Sequence, residues 1–153
     1  MDNLDLFVCI DHIGLAVPNM DEALKFHTEV MGWRLLHREQ NEEQGVDEAM
    51  LGTGVQGEES SMIQLLAPLN ENSTIAKFLD RNGPGMQQLA YRVADLDHVS
   101  AVLKERGMRL LFPEAKRGTG GSSGVGATLR RTGTCDECGT RYRSAGPIGW
   151  TLP

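Results

Sequence analysis

The feature that most constrains this chain is a repeat. The stretch Ile10-Asp11-His12-Ile13-Gly14-Leu15-Ala16-Val17 returns, altered, as Met86-Gln87-Gln88-Leu89-Ala90-Tyr91-Arg92-Val93. Aligning His12 with Gln88 brings Val17 onto Val93, Asp21 onto Asp97 and Glu29 onto Glu105. After a one-residue slip, Gly32 falls on Gly107 and Arg34-Leu35-Leu36 on Arg109-Leu110-Leu111. Apolar, acidic and glycine positions recur in order, as expected of a duplicated strand–helix–strand unit. Two copies related by a pseudo-twofold would carry His12 and Gln88 to equivalent places.

The pattern inside each copy supports this. Residues 8–17 alternate, with Ile13, Leu15 and Val17 on one side and His12, Gly14 and Ala16 on the other, which is the period of a strand. Asn19 followed by Glu22 has the form of a helix cap and capping box. Ala23, Leu24, Val30 and Met31 then recur at helical spacing up to Gly32, a C′ residue. Strands are expected over 33–40, 46–51 and 62–67, with a polar turn at 41–45 and a glycine-rich connection at 52–60. The first copy thus reads β-α-β-β-β.

An added helix is expected over 70–83, capped by Asn72 or Ser73, before the second copy starts at residue 86. In that copy Asp95 caps a helix ending at Gly107, and a strand is expected over 108–112. The two further strands that symmetry requires are not evident. Arg, Gly, Thr and Ser dominate the remainder, and only 125–129 and 148–152 carry weak strand patterns.

Charge changes at the same place. Residues 1–115 hold 9 Lys/Arg against 19 Asp/Glu, whereas residues 116–153 hold 6 against 2. The acidic body argues against nucleic-acid partners. No apolar run is long enough to span a membrane, and a cytoplasmic protein is the expectation. Three cysteines, an odd number, argue against a disulfide framework.

Few residues offer chemistry. His12 can present an imidazole to a divalent metal, and Gln64 and Gln88 can offer amide oxygens. In a strand over 46–51, Asp47 and Glu48 face opposite sides, so one faces inward and could act as a general base if burial raised its pKa. A solvated acidic turn is the plainer reading of that segment. Cys135-Asp136-Glu137-Cys138-Gly139 has the form of half a zinc knuckle, but a structural zinc site needs four ligands and the chain has no second pair. His27, His37 and His98 read as surface residues.

At this point a family resemblance emerges. Residues 6–121 resemble methylmalonyl-CoA epimerases, of the vicinal oxygen chelate superfamily that includes glyoxalase I. The resemblance is carried by Ile10-Asp11-His12-Ile13-Gly14, Asn41-Glu42-Glu43-Gln44-Gly45-Val46, Gln64-Leu65-Leu66-Ala67-Pro68-Leu69 and Ser73-Thr74-Ile75-Ala76-Lys77-Phe78-Leu79, with Gly83-Pro84-Gly85 and Arg117-Gly118-Thr119-Gly120-Gly121. It implies an α+β fold of paired βαβββ modules, at about 6–68 and 86–121, within a domain over 1–121. The second module is then incomplete, and 122–153 is a divergent Gly/Arg-rich segment in the manner of a replaced C-terminus.

The resemblance also implies a site and an activity. The family's metal ligands map to His12, Gln64 and, in place of a second histidine, Gln88; its catalytic glutamate maps to Glu48. The cofactor implied is a divalent metal ion, cobalt or similar. The substrate implied is an acyl-CoA, the 2R and 2S methylmalonyl thioesters being interconverted through loss of the α-proton. Lys77 and the loop at Arg117 are candidate contacts for the CoA phosphates, and a homodimer is expected by resemblance alone. The alternative is a non-catalytic acyl-CoA or small-molecule binding module. A lyase or dioxygenase of the superfamily is a third reading, disfavoured by Gln88. The family's last ligand, a glutamate in a C-terminal apolar strand, has no counterpart past Gly121. Asp136 and Glu137 are the carboxylates left there, so no strand from about residue 122 onward is expected to close the second module, and weak or lost activity is expected.

Overall fold

The computed structural model describes residues 6–110 and the strand residues 116–117, 123–124, 126–128, 139–141 and 147–151. The chain divides into two compact units, one of residues 13–87 and one of residues 1–12 with 88–153.

The unit of 13–87 holds the first repeat. Its sheet combines the second half of β1 (Cys9–Ala16) with β2 (Arg34–Asn41), β3 (Val46–Val55) and β4 (Glu58–Pro68). Strands β2, β3 and β4 are antiparallel neighbours, and β1 runs parallel to β4 with Gly14 opposite Gln64. The helix after β1 begins as α1 (Met20–Lys25), where the Asn19 side chain accepts from the Glu22 N–H at 3.1 Å as the cap pattern requires. It loosens into a π-helical turn over Phe26–Val30 and stops at Gly32, whose φ is +72°.

Strands β3 and β4 are longer than the apolar pattern suggested. The expected 52–60 connection is mostly strand, and a tight turn joins Val55 to Glu58. The alternation stops at Leu51, but backbone pairing continues until the chain reverses. Gly54 has φ +90° there, and a Cβ on it would lie 3.0 Å from the Ser60 nitrogen, so glycine is needed. Helix α2 (Thr74–Asn82) is capped by Ser73, whose Oγ accepts from the Ala76 N–H at 3.0 Å.

Alternation in β3 and β4 sorts residues onto two faces. Ala49, Leu51, Ile63, Leu65 and Ala67 pack with Met20. Val46 and Leu66 pack on the other side with Ala16 and Ile75 of α2. Glu48 and Gln64 have the parity of this second set.

The second unit holds the later repeat. The first half of β1 is hydrogen-bonded beside β5 (Gly85–Arg92), and α3 (Leu96–Glu105) follows, capped by Asp95 accepting from the His98 N–H at 2.9 Å. Val93, Leu96, Val99 and Leu103 form its core with Leu6. The described strands after α3 are β6 (Arg109–Leu110), β7 (Lys116–Arg117), β8 (Ser123–Gly124), β9 (Gly126–Thr128), β10 (Gly139–Arg141) and β11 (Pro147–Thr151). These described stretches run 2 to 5 residues.

One expectation fails here. The segment past residue 122 does supply a strand beside β5: β11 pairs antiparallel with it, Ile148 opposite Tyr91 and Trp150 opposite Leu89, and β10 pairs with β11 in turn. The reason is that ladder hydrogen bonds need only backbone groups, and an unpaired strand edge recruits whatever extended chain can reach it. The weak patterns at 125–129 and 148–152 mark β9 and β11. The residues of β10 and β11 include no carboxylate, and Asp136 and Glu137 lie outside the described residues.

Candidate active site

One buried polar group is centred on the end of the first half of β1. His12 is 3% exposed, and its Nδ1 lies 2.8 Å from Asp11 Oδ2. Arg92 of β5 donates to the other Asp11 oxygen, through Nε at 2.8 Å and also through Nη2. Burial alone would raise the Asp11 pKa. Hydrogen bonds from His12 and Arg92, with the positive charge beside the carboxyl, outweigh burial and hold it below its usual value. An ionised carboxylate can only accept, so His12 Nδ1 must donate. The remaining ring nitrogen, Nε2, lies 3.4 Å from the Gln88 amide nitrogen. The structure therefore brings His12 and Gln88 together, as the repeat suggested. Asp11 and Arg92 escaped the sequence reading. Alternation put Asp11 on the far face of the strand, and nothing local pairs residue 11 with residue 92.

The second group lies on β3 and β4. Glu48 is 1% exposed, which replaces the solvated-turn reading of its segment with a buried carboxylate. Met50 is opposite Gln64 and Glu48 is opposite Leu66, so Glu48 and Gln64 are diagonal neighbours on one face. Gln64 Nε2 donates to Glu48 Oε2 at 3.1 Å. Asp47 points away, as alternation requires, and takes two hydrogen bonds from Arg38, at 3.2 and 2.8 Å. With a further bond to Asp21, these carboxylates raise the Arg38 pKa.

The other sequence candidates have local explanations. His27 Nδ1 bonds the Ala23 carbonyl at 2.7 Å, His37 pairs with Glu39 at 3.1 Å, and His98 is exposed on α3. Cys9 is exposed, and Cys135 and Cys138 lie outside the described residues. No group of three His, Cys, Asp or Glu side chains suited to a metal occurs among the described residues. Among the described residues, the unit of 1–12 with 88–153 holds the carboxylate-backed imidazole of His12 and the Gln88 amide, and the unit of 13–87 holds the Gln64 amide and the buried Glu48 carboxylate. Imidazole and oxygen donors serve borderline or hard divalent cations, so each of these residue types fits such an ion.

Residues 11–125 match the family described as the glyoxalase/bleomycin resistance protein/dioxygenase superfamily. A crystal structure of selenomethionine methylmalonyl-CoA epimerase is 48% identical, with a TM-score of 0.76, over 82% of this chain and 88% of that one. The chain belongs to this superfamily, on its methylmalonyl-CoA epimerase-like branch. A methylmalonyl-CoA epimerase crystallised with methylmalonyl-CoA and ammonium is 38% identical, with a TM-score of 0.73, covering 79% of this chain and 85% of its own. The mitochondrial methylmalonyl-CoA epimerase of Bos taurus is 31% identical over 113 residues, 73% of this chain and 62% of the bovine protein. This chain thus spans about three fifths of the bovine relative. The likeness to these epimerases agrees with the α+β reading and the duplicated modules. Among the described residues no helix is long and apolar enough to cross a membrane.

Proposed function

We propose that this chain is an isomerase acting on the α-carbon of methylmalonyl-CoA, interconverting the 2R and 2S thioesters with a divalent cation such as cobalt. The observation that carries the reading is the buried Glu48, hydrogen-bonded to Gln64 in an epimerase-like fold. A buried carboxylate is suited to proton abstraction because few waters compete for it.

His12, Gln64 and Gln88 would hold the cation. The support is the epimerase resemblance of the segments that carry His12 and Gln64, and the repeat position that Gln88 shares with His12. When bound, the cation would offset the negative charge that develops on the thioester oxygen as the α-proton leaves. Glu48 takes that proton on its carboxylate. The amide of Gln64 holds Glu48 Oε2 in place, so the base is oriented before substrate arrives. Lys77, on α2, and Arg117, on β7, are assigned to the CoA phosphates by charge.

Inversion needs a second group, to return a proton to the opposite face of the carbon. Strands β10 and β11 carry no carboxylate to serve there. Loss of one acid–base group lowers the rate by about a hundred- to ten-thousand-fold, so weak turnover is expected. The same observation favours the alternative, a module that binds an acyl thioester without inverting it.

The test is α-proton exchange with heavy water in the cobalt-loaded protein. Exchange no faster than in a metal-free control rejects the catalytic reading. Tight acyl-CoA binding without exchange selects the binding module.

A further inference from the structure

The two copies of the repeat differ at neighbouring positions in a correlated way. Where the first copy has Asp11-His12, the register that matches His12 to Gln88 places Gln87 at the position of Asp11. An imidazole has two ring nitrogens and, when neutral, a lone pair on only one, so it must be directed before it can serve as a ligand. An amide oxygen has no such ambiguity. The carboxylate stands beside the imidazole and is missing beside the amide.

The geometry matches that difference. The Asp11 side chain is 2% exposed and divides its oxygens, Oδ2 to His12 Nδ1 and Oδ1 to Arg92. The two N–H groups of Arg92 fix the carboxylate plane and offset its buried charge. Arg92 occupies the place of Ala16 in the first copy, so this anchor is not inherited from the repeat. With Nδ1 donating, the lone pair of neutral His12 is on Nε2, the nitrogen turned towards Gln88.

We infer that Asp11, anchored by Arg92, is a positioning residue that locks His12 in the Nδ1–H tautomer and presents Nε2 to a divalent cation. The use of the ring as a ligand rests on the function proposed above; the tautomer is a property of the metal-free protein and is tested without it. Outer partners of this kind typically change metal affinity by about 10- to 100-fold when removed.

The experiment uses the full chain, labelled with ¹⁵N, and two-bond proton–nitrogen correlation spectra at neutral pH without metal. Wild type is expected to show His12 in a single Nδ1–H form. The Asp11→Ala variant is expected to move towards the Nε2–H form and to lose about 10- to 100-fold in cobalt affinity by calorimetry. Arg92→Ala is expected to lose less, and Arg92→Lys to recover part of that loss. An Nε2–H form in wild type overturns the inference outright. So does a folded Asp11→Ala protein with unchanged tautomer and cobalt affinity. If Asp11→Ala does not fold, the wild-type tautomer and the two Arg92 variants decide, since Arg92 is half-exposed; unchanged affinity in Arg92→Ala then counts against the anchor. Wild type that binds no cobalt overturns the ligand reading of His12 while leaving the tautomer result intact, so the two failures are distinguishable.

Discussion

Gln64 donates from its amide to the Glu48 carboxylate across the β3–β4 ladder, and both side chains are buried. The diagonal placement sets the amide nitrogen against one oxygen of the carboxylate. In Glu48→Gln the shape and one hydrogen-bond partner survive, while the proton acceptor is lost. Proton exchange at the substrate α-carbon should fall by about a hundred- to ten-thousand-fold, with little change in the melting temperature. Exchange within a few-fold of wild type would remove Glu48 from the role of base.

With Glu48 as the base and no carboxylate on β10 or β11, exchange is expected to be faster than inversion. Cobalt-loaded protein in heavy water is expected to place deuterium in one epimer of methylmalonyl-CoA well before the other epimer accumulates. Mass spectrometry coupled to chiral analysis reads both rates. Equal rates of labelling and inversion would mean that another residue supplies the missing group.

Gln88 lies at the repeat position of His12, with the two side chains 3.4 Å apart. Gln88→His would exchange an amide for an imidazole, a better donor to cobalt or zinc. Cobalt affinity is expected to rise by about tenfold or more, tenfold corresponding to about 1.4 kcal/mol. Calorimetry measures it, and an unchanged or weaker affinity argues that Gln88 is not a ligand.

The acid stability of the protein should carry the signature of Asp11. Its carboxyl is held below the ordinary value of 3.8 in the folded chain, by His12 and Arg92 against the opposing effect of burial. A depressed folded-state pKa adds stability above the unfolded value and loses it as pH falls through the folded one. The melting-temperature gap between wild type and Asp11→Asn should therefore be full at neutral pH and shrink below about 3.8, the unfolded value. A gap that widens in acid contradicts the assignment.

Leu65 is fully buried between the β4 backbone and the cluster that holds Met20, Ala49 and Leu51. Leu65→Ala should cost about 2–5 kcal/mol in unfolding free energy, because transfer energy is lost and a cavity is left. Chemical denaturation measures it. A cost under about 1 kcal/mol would mean that this face repacks freely.

The amino-acid sequence alone determined the local elements and the repeat. The caps at Asn19, Ser73 and Asp95 and the stops at Gly32 and Gly107 are short-range chemistry, readable from a few residues each. The opposite facing of Asp47 and Glu48 followed from the period of a strand. Tertiary structure decided what those elements meet. Glu48 is buried and meets Gln64 and Leu66 of β4, which a window around residue 48 does not contain. Asp11 meets Arg92 across 81 residues of sequence, and no periodicity encodes such a pair. The strand at Pro147–Thr151 showed only as a weak pattern, and its pairing was missed for the same reason: its partner is the backbone edge of β5, and a backbone edge leaves little trace in the side chains of the segment that covers it.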